Sequence, residues 1–111
     1  MQIIPKAWGS EHVYFNEPEY CKKHLHVNPG WQCSLHMHPI KKETFSVLTG
    51  IVYLEVDGRE LKLTPYDNHV TIEPMTPHRF RAIDCHAVIE EISTHHDDSD
   101  VIRLEESRQV E

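Results

Sequence analysis

Gly30-Trp-Gln-Cys-Ser-Leu-His36-Met-His38-Pro-Ile-Lys-Lys-Glu43-Thr-Phe-Ser-Val-Leu-Thr-Gly50 is the stretch that decides the fold. On a strand, alternate side chains share a face, so His36 and His38 point the same way. Pro39 bends the chain, and Glu43 opens the next apolar segment. Residues 43–49 and 51–56 read as two strands joined at Gly50, where the chain needs the freedom of glycine. Glu43 can then face the histidine pair across a sheet. Neutral imidazole and carboxylate are standard ligands for zinc, iron, nickel and manganese. With ten histidines in 111 residues, a His-x-His pair arises roughly once by composition alone. The signal therefore lies in the pair together with Glu43 and the two glycines. Forty residues on, Glu73-Pro-Met-Thr-Pro-His78-Arg-Phe80 supplies a further imidazole at the start of another strand. Ligands on separate strands converge only if the sheet curls into a barrel.

The rest of the chain reads as strand and turn. Apolar or alternating segments fall at His12–Phe15, Lys22–Val27, Trp31–Met37, Glu43–Thr49, Ile51–Val56, Glu60–Leu63, His69–Ile72, His78–Ile83 and Ala87–Thr94. Turn signals separate them at Asn28-Pro-Gly30, Gly50, Asp57-Gly58, Pro65 to Asn68, Pro74 to Pro77 and Asp84. Short strands at such spacing predict a sandwich or barrel. Only Asp98 to Arg108 has the pattern of a helical turn or two. His95-His96-Asp-Asp reads as part of a solvated acidic tail, and His24 and His26 as surface or pocket residues. Cys33 is out of phase with His36 and His38, which predicts that it points away from them.

Gly-x5-His-x-His-x4-Glu-x6-Gly resembles the first motif of the cupin superfamily, and the segment around His78 is similar to the second. The second motif usually has proline and glycine where this chain has Glu73 and Met75. The resemblance covers about residues 8 to 94. It implies an all-β fold, an antiparallel jelly-roll barrel (a double-stranded β-helix). It also implies one divalent transition metal ion (Mn, Zn, Fe or Ni) held by His36, His38, Glu43 and His78. We expect a single domain over residues 1–111, with the barrel core at about 8–94 and an acidic tail at 95–111.

Composition agrees. At 111 residues the chain suits one domain. No apolar run reaches the roughly 18 residues needed to cross a bilayer, so no membrane partner is expected. The N-terminus Met1-Gln-Ile-Ile-Pro-Lys6 lacks the apolar core of a secretory signal, which predicts a cytoplasmic protein. Cys21, Cys33 and Cys85 are odd in number and far apart, which predicts reduced thiols. A net charge of −7 argues against nucleic acid as a partner. Jelly rolls leave sheet edges that a partner often covers, and the family leads us to expect a homodimer.

Two nearer resemblances bear on chemistry. The run from Tyr20-Cys-Lys-Lys through Lys41-x-Glu43-Thr-Phe45 to Gly50-x-Val-Tyr-Leu54 is similar to cupin-type D-lyxose isomerases. Those enzymes carry a lysine two residues before the metal-binding glutamate, matching Lys41, and a glutamate in a strand ending Glu-x-Ser, matching Glu91. Lys6-Ala-Trp-Gly-Ser-Glu11 looks like the start of cupin-type mannose-6-phosphate isomerase domains, with Ala7 in place of a proline. The resemblance implies a metal-dependent aldose–ketose isomerase acting on a sugar or sugar phosphate, with Lys41 and Glu91 as catalytic residues. By residue pattern alone, strand parity sends one of Glu90 and Glu91 inward without saying which. An inward Arg79 or Arg81 would admit a phosphate. The same four ligands would also serve a metal-dependent dioxygenase, or the cavity of a non-catalytic carbohydrate-binding cupin.

Overall fold

The fold, taken from a computed structural model, is described for residues 1–110. Thirteen strands run in chain order: β1 (Gln2–Lys6), β2 (Gly9–Asn16), β3 (Cys21–Val27), β4 (Trp31–Gln32), β5 (Leu35–Met37), β6 (Glu43–Thr49), β7 (Val52–Val56), β8 (Arg59–Leu63), β9 (Val70–Ile72), β10 (His78–Ala82), β11 (Ala87–Ser93), β12 (Ile102–Glu105) and β13 (Arg108–Gln109). One antiparallel sheet has the order β1-β2-β3-β11-β6-β9. The second is built on β10, which pairs with β4 and β5 along one edge and with β7 along the other. β12 flanks β5, β13 flanks β4, and β8 flanks β7. No helix among the described residues is long and apolar enough to cross a membrane.

The two sheets pack face to face because each strand puts every second residue inward. On β3 the inward set is Cys21, Lys23, Leu25 and Val27, all buried, while Lys22, His24 and His26 turn outward. The inner faces meet around Trp8, Leu25, Phe45, Leu54, Phe80 and Ile89. Trp8 and Phe80 form an edge-to-face pair with ring centroids 4.9 Å apart. This apolar half fills one end of the barrel. The cavity opens against this cluster, sharing Trp8, Leu25, Phe45 and Phe80 with it, and the rest of its wall is largely polar.

Turns follow the sequence signals. Gly50 has φ +79, and an added Cβ would run into the backbone oxygen of His86. Asp57 (φ 51) and Gly58 (φ 80) make the two-residue hairpin between β7 and β8, with Val56 opposite Arg59. Met75 takes φ 63, so the left-handed geometry of the second motif persists without its usual glycine. Its amide donates to the His38 carbonyl at 2.7 Å, which ties that turn to the histidine pair.

Three expectations need correction. Residues 98–108 form no helical turn; β12 and β13 extend the second sheet, since β5 and β4 offer open edges there. The predicted strand Trp31–Met37 is broken at residues 33–34, which resets its phase. Cys33 is therefore buried against the cavity, with its Sγ accepting the Phe80 amide at 3.3 Å, instead of pointing away. A first strand at Gln2–Lys6, absent from the sequence reading, pairs with β2.

Candidate metal centre and its proton-handling neighbours

His36 lies on β5, His38 just after it, and His78 opens β10 directly opposite His36. One ring nitrogen from each of the three lies within 4.8 Å of the others. Each ring has its Nδ1 against a backbone carbonyl: His36 against Ser34 at 2.8 Å, His38 against Asp100 at 2.7 Å, and His78 against Thr76 at 2.8 Å. A carbonyl only accepts, so each Nδ1 donates and each Nε2 keeps its lone pair for the cavity. Burial, with His78 alongside, pushes the His36 imidazole down to about 3. Burial and the Lys41 charge likewise lower His38. Rings held neutral in this way are ready ligands.

Glu43, the first residue of β6, completes the group. Its Oε1 lies 2.7 Å from His78 Nε2 and 3.6 Å from His38 Nε2. Both Glu43 Oε1 and His78 Nε2 are buried without a hydrogen-bond partner. Two acceptors facing each other at that distance repel unless a cation serves both. Burial would raise the Glu43 carboxyl, while the Lys41 ammonium beside it pulls the group down. Three bare imidazole nitrogens and one anionic oxygen make a donor set that fits a divalent transition metal.

Beside this group sits a buried ammonium. Lys41 Nζ lies 3.2 Å from Glu43 Oε2 and donates to Glu91 Oε2 at 3.1 Å. A third acceptor, His96 Nδ1, stands 3.2 Å away. Lys41 and Glu91 are 3% and 4% exposed. Burial would lower the Lys41 pKa, but the charges of Glu91 and Glu43 raise it above the ordinary lysine value. Burial, then the charge of Glu43, raises the Glu91 carboxyl, against the opposing pull of Lys41 and Lys23. The question of parity is settled by register: Glu91 pairs with Lys23 and Phe45, both inward, while Glu90 turns out to meet His24 at 3.0 Å.

The cavity, about 570 Å³, is lined by His36, His38, Glu43, Lys41, Glu91 and further residues from β1, β2 and the 96–103 segment. Several contributors were silent in the sequence. Lys23, 2% exposed, donates to Glu11 Oε1 at 3.2 Å; its alternation with Cys21 and Leu25 was a signal for an inward position. Asp100 is buried, and its carboxylate accepts the amides of Ile40 and Lys41, each at 2.9 Å. It thereby fixes the loop that carries Lys41. His96 belongs to the cavity wall and not to a solvated tail. No local pattern could have shown this, because both residues act from a loop across the barrel.

Other expectations resolve differently. Arg79 is buried but donates to the Cys33 carbonyl and to Glu105, and Arg81 pairs with Glu60 at 2.7 Å; neither lines the cavity. His24 and His26 lie on the outer face, where His26 stacks on His12 with centroids 4.0 Å apart. The three cysteines are free, and burial pushes the Cys33 thiol up to about 12.

The cupin domain family matches residues 23–88, the segment that holds His36, His38, His78, Glu43 and most of the second sheet. This chain is a cupin. It is 35% identical over 113 residues to the D-lyxose/D-mannose isomerase of Thermosediminibacter oceani, covering 78% of this chain and 62% of that protein. It is 33% identical over 109 residues to the D-lyxose ketol-isomerase of a Thermofilum species, covering 74% and 60% respectively. The cupin therefore spans about three fifths of the length of these curated relatives. Among solved structures, KdgF from Halomonas superposes with a TM-score of 0.74 at 16% identity, over 81% of each chain. CapF from Staphylococcus aureus gives 0.79 at 16% identity, over 99% of this cupin and 34% of that chain. These two likenesses speak to the fold alone.

Proposed function

We propose that this cupin is a metal-dependent aldose–ketose isomerase acting on an unphosphorylated sugar. The observation that carries the reading is the pairing of Lys41 with Glu91, at 3.1 Å, immediately beside the His36/His38/His78/Glu43 group. Isomerisation needs a base that takes a proton from one carbon and returns it to its neighbour. It also needs a donor for the oxygen on which charge develops. Glu91, raised by burial and by Glu43, is the base. Lys41, held fully protonated by its two carboxylates, is the donor. His36, His38, His78 and Glu43 would hold the metal. A divalent ion there supplies Lewis acidity to the sugar's carbonyl and neighbouring hydroxyl oxygens. Phe45 and Phe80, both buried in the core, give the cavity an apolar wall. The relatives named for D-lyxose and D-mannose support the same substrate class.

Charge accounting supports a neutral substrate. The buried cations of the cavity wall are already matched by carboxylates, Lys23 by Glu11 and Lys41 by Glu43 and Glu91. Arg79 and Arg81 are engaged elsewhere. A phosphate entering this end of the barrel would find carboxylates competing for every buried ammonium, with only the exposed Arg103 at the cavity rim, among the described residues, not matched to a carboxylate.

The test is exchange of the sugar proton beside the carbonyl, followed by NMR in deuterated water. Metal-loaded protein would be offered pentoses, hexoses and their terminal phosphates. Exchange with free sugars only is the expected result. Exchange with none of them, in protein that holds its metal, would reject the isomerase.

A further inference from the structure

The loop after β11 crosses the cavity and presents one side chain to it. The Asn16 side-chain amide holds that loop at both backbone groups of His96: it donates to the carbonyl at 2.8 Å and accepts the amide at 2.9 Å. The His96 ring then bridges two charged groups. Its Nε2 lies 2.8 Å from Asp98 Oδ1, and its Nδ1 lies 3.2 Å from Lys41 Nζ. A carboxylate only accepts, so the ring proton is on Nε2, and Nδ1 offers a lone pair to the Lys41 ammonium. Lys41 thus spends its three N–H groups on Glu43, Glu91 and His96.

Those three partners are unequal. Bonds from an ammonium to a carboxylate are roughly twice as strong as those to neutral acceptors. Glu43 and Glu91 are buried and have nowhere else to turn, whereas His96 is partly exposed at the cavity wall. For Lys41 to donate to a substrate oxygen, the contact to His96 is the one that yields at least cost. A hydroxyl placed there accepts from Lys41 and donates to His96 Nδ1, so both protein groups stay satisfied. A carbonyl or ether oxygen could accept from Lys41 but would strand the imidazole lone pair.

We propose that His96, its tautomer fixed by Asp98 and its position by Asn16, is a hydroxyl-recognition subsite: its Nδ1 accepts from Lys41 in the free protein and from a substrate hydroxyl in the complex. The inference rests on the sugar-binding reading of the cavity but not on turnover. It assigns specificity to a residue that lies outside both the histidine group and the Lys41–Glu91 pair.

The experiment uses the full chain loaded with a divalent metal, and an unreactive polyol, a pentitol or hexitol, as probe. Heteronuclear NMR of the histidine rings should find His96 unprotonated at Nδ1, with that nitrogen shifting when the polyol is added. His96→Phe keeps the ring's bulk and removes the acceptor; it should weaken the polyol about tenfold, the size expected for one lost hydrogen bond. Metal affinity should not change, and His96→Gln, which restores an acceptor oxygen, should recover part of the loss. Asp98→Asn should mix the two tautomers in the spectrum. A polyol bound in this way without turnover of any sugar would support the subsite while rejecting the isomerase. A proton on Nδ1 in the unsubstituted protein, no binding of any polyol to it, or unchanged affinity in His96→Phe would each overturn the proposal.

Discussion

Lys41 donates to Glu91 across 3.1 Å, from the loop before β6 to the middle of β11, and the two residues are fifty positions apart in the chain. The pair is buried, with Glu43 on the other side of the ammonium at 3.2 Å. Two carboxylates around one lysine leave a net negative charge that burial makes costly, unless a cation shares it. The imidazoles stand where such a cation would sit, 2.7 Å from Glu43 at the nearest.

Replacing one member of this set at a time should separate stability from chemistry. Glu91→Gln keeps an oxygen for Lys41 and removes the base. Its melting temperature should stay near that of the parent while turnover falls by about 10²–10⁴. Lys41→Met leaves Glu43 and Glu91 as facing, unpaired buried carboxylates. Unfolding free energy should drop by about 3–5 kcal/mol, as read by urea denaturation. Equal stability losses in the two variants would show that the pair matters only to folding.

The pH dependence follows from the direction of the Glu91 shift. A base acts in its ionised form. Burial raises its carboxyl above the ordinary 4.5, with the Glu43 charge adding to the rise, so the acid limb of kcat/KM should fall at a pH above 4.5. Lys23 opposes that rise. Lys23→Gln should therefore move the limb to still higher pH, since a cation that favoured the carboxylate is gone. A limb that moves down in this variant would assign the titration to another group.

How much of this was legible beforehand depends on the kind of signal. His36, His38 and Glu43 share one segment, and strand parity with a turn at Gly50 was enough to bring them together. His78 was found because a proline-rich turn precedes it, even though Met75 stands where a glycine was expected; backbone hydrogen bonding to His38 holds that turn in its left-handed form. The choice between Glu90 and Glu91 was not readable from β11 alone, because both neighbours in a strand of this composition are plausible inward residues. It is fixed by register with β3 and β6. Asp100 and His96 were invisible for a different reason. Their roles come from a loop that packs across the barrel, and such contacts leave no periodicity in the chain. β12 differs: Ile102-Arg-Leu-Glu105 does alternate, but both its faces are exposed, and it and the short β13 take strand form on the open edges of β5 and β4.

Metal loading should stabilise the fold, because the ligands are assembled only in the native state. At a free metal concentration one hundred times the Kd, the gain is about 2.7 kcal/mol. His78→Ala removes a bare Nε2 that faces Glu43 Oε1 at 2.7 Å. Its melting temperature should no longer respond to Mn, Zn, Fe or Ni salts, and elemental analysis should find far less than one ion per chain. An undiminished thermal response in His78→Ala would place the ion elsewhere.

Asp100 ties the Lys41 loop down through two amides, and its own carbonyl orients His38. Asp100→Ala strands the buried Lys41 amide and the part-buried Ile40 amide while leaving the backbone carbonyl in place. The cost should be about 1–3 kcal/mol, set by the buried Lys41 amide, with hydrogen exchange accelerating first at Ile40 and Lys41. Metal affinity should change less than turnover, because the lost groups position Lys41 and not the imidazoles.

Glycine at two turns offers a comparison in which backbone conformation is matched and space is not. Gly30 and Gly50 both sit near φ +80 (+80 and +79), but an added Cβ at Gly30 meets nothing within 4 Å, whereas at Gly50 it meets the His86 carbonyl and the Ala87 Cα. Alanine at Gly30 should therefore cost only the left-handed penalty, about 1–2 kcal/mol. Alanine at Gly50 adds a backbone clash that no rotamer can relieve. It should cost more than the Gly30 change and, because Ala87 opens β11, disturb the strand that carries Glu91. Denaturation midpoints of the two variants check the order. Amide exchange along Ala87–Ser93 checks the path, and equal losses in both variants would mean that the chain at residue 86 gives way without strain.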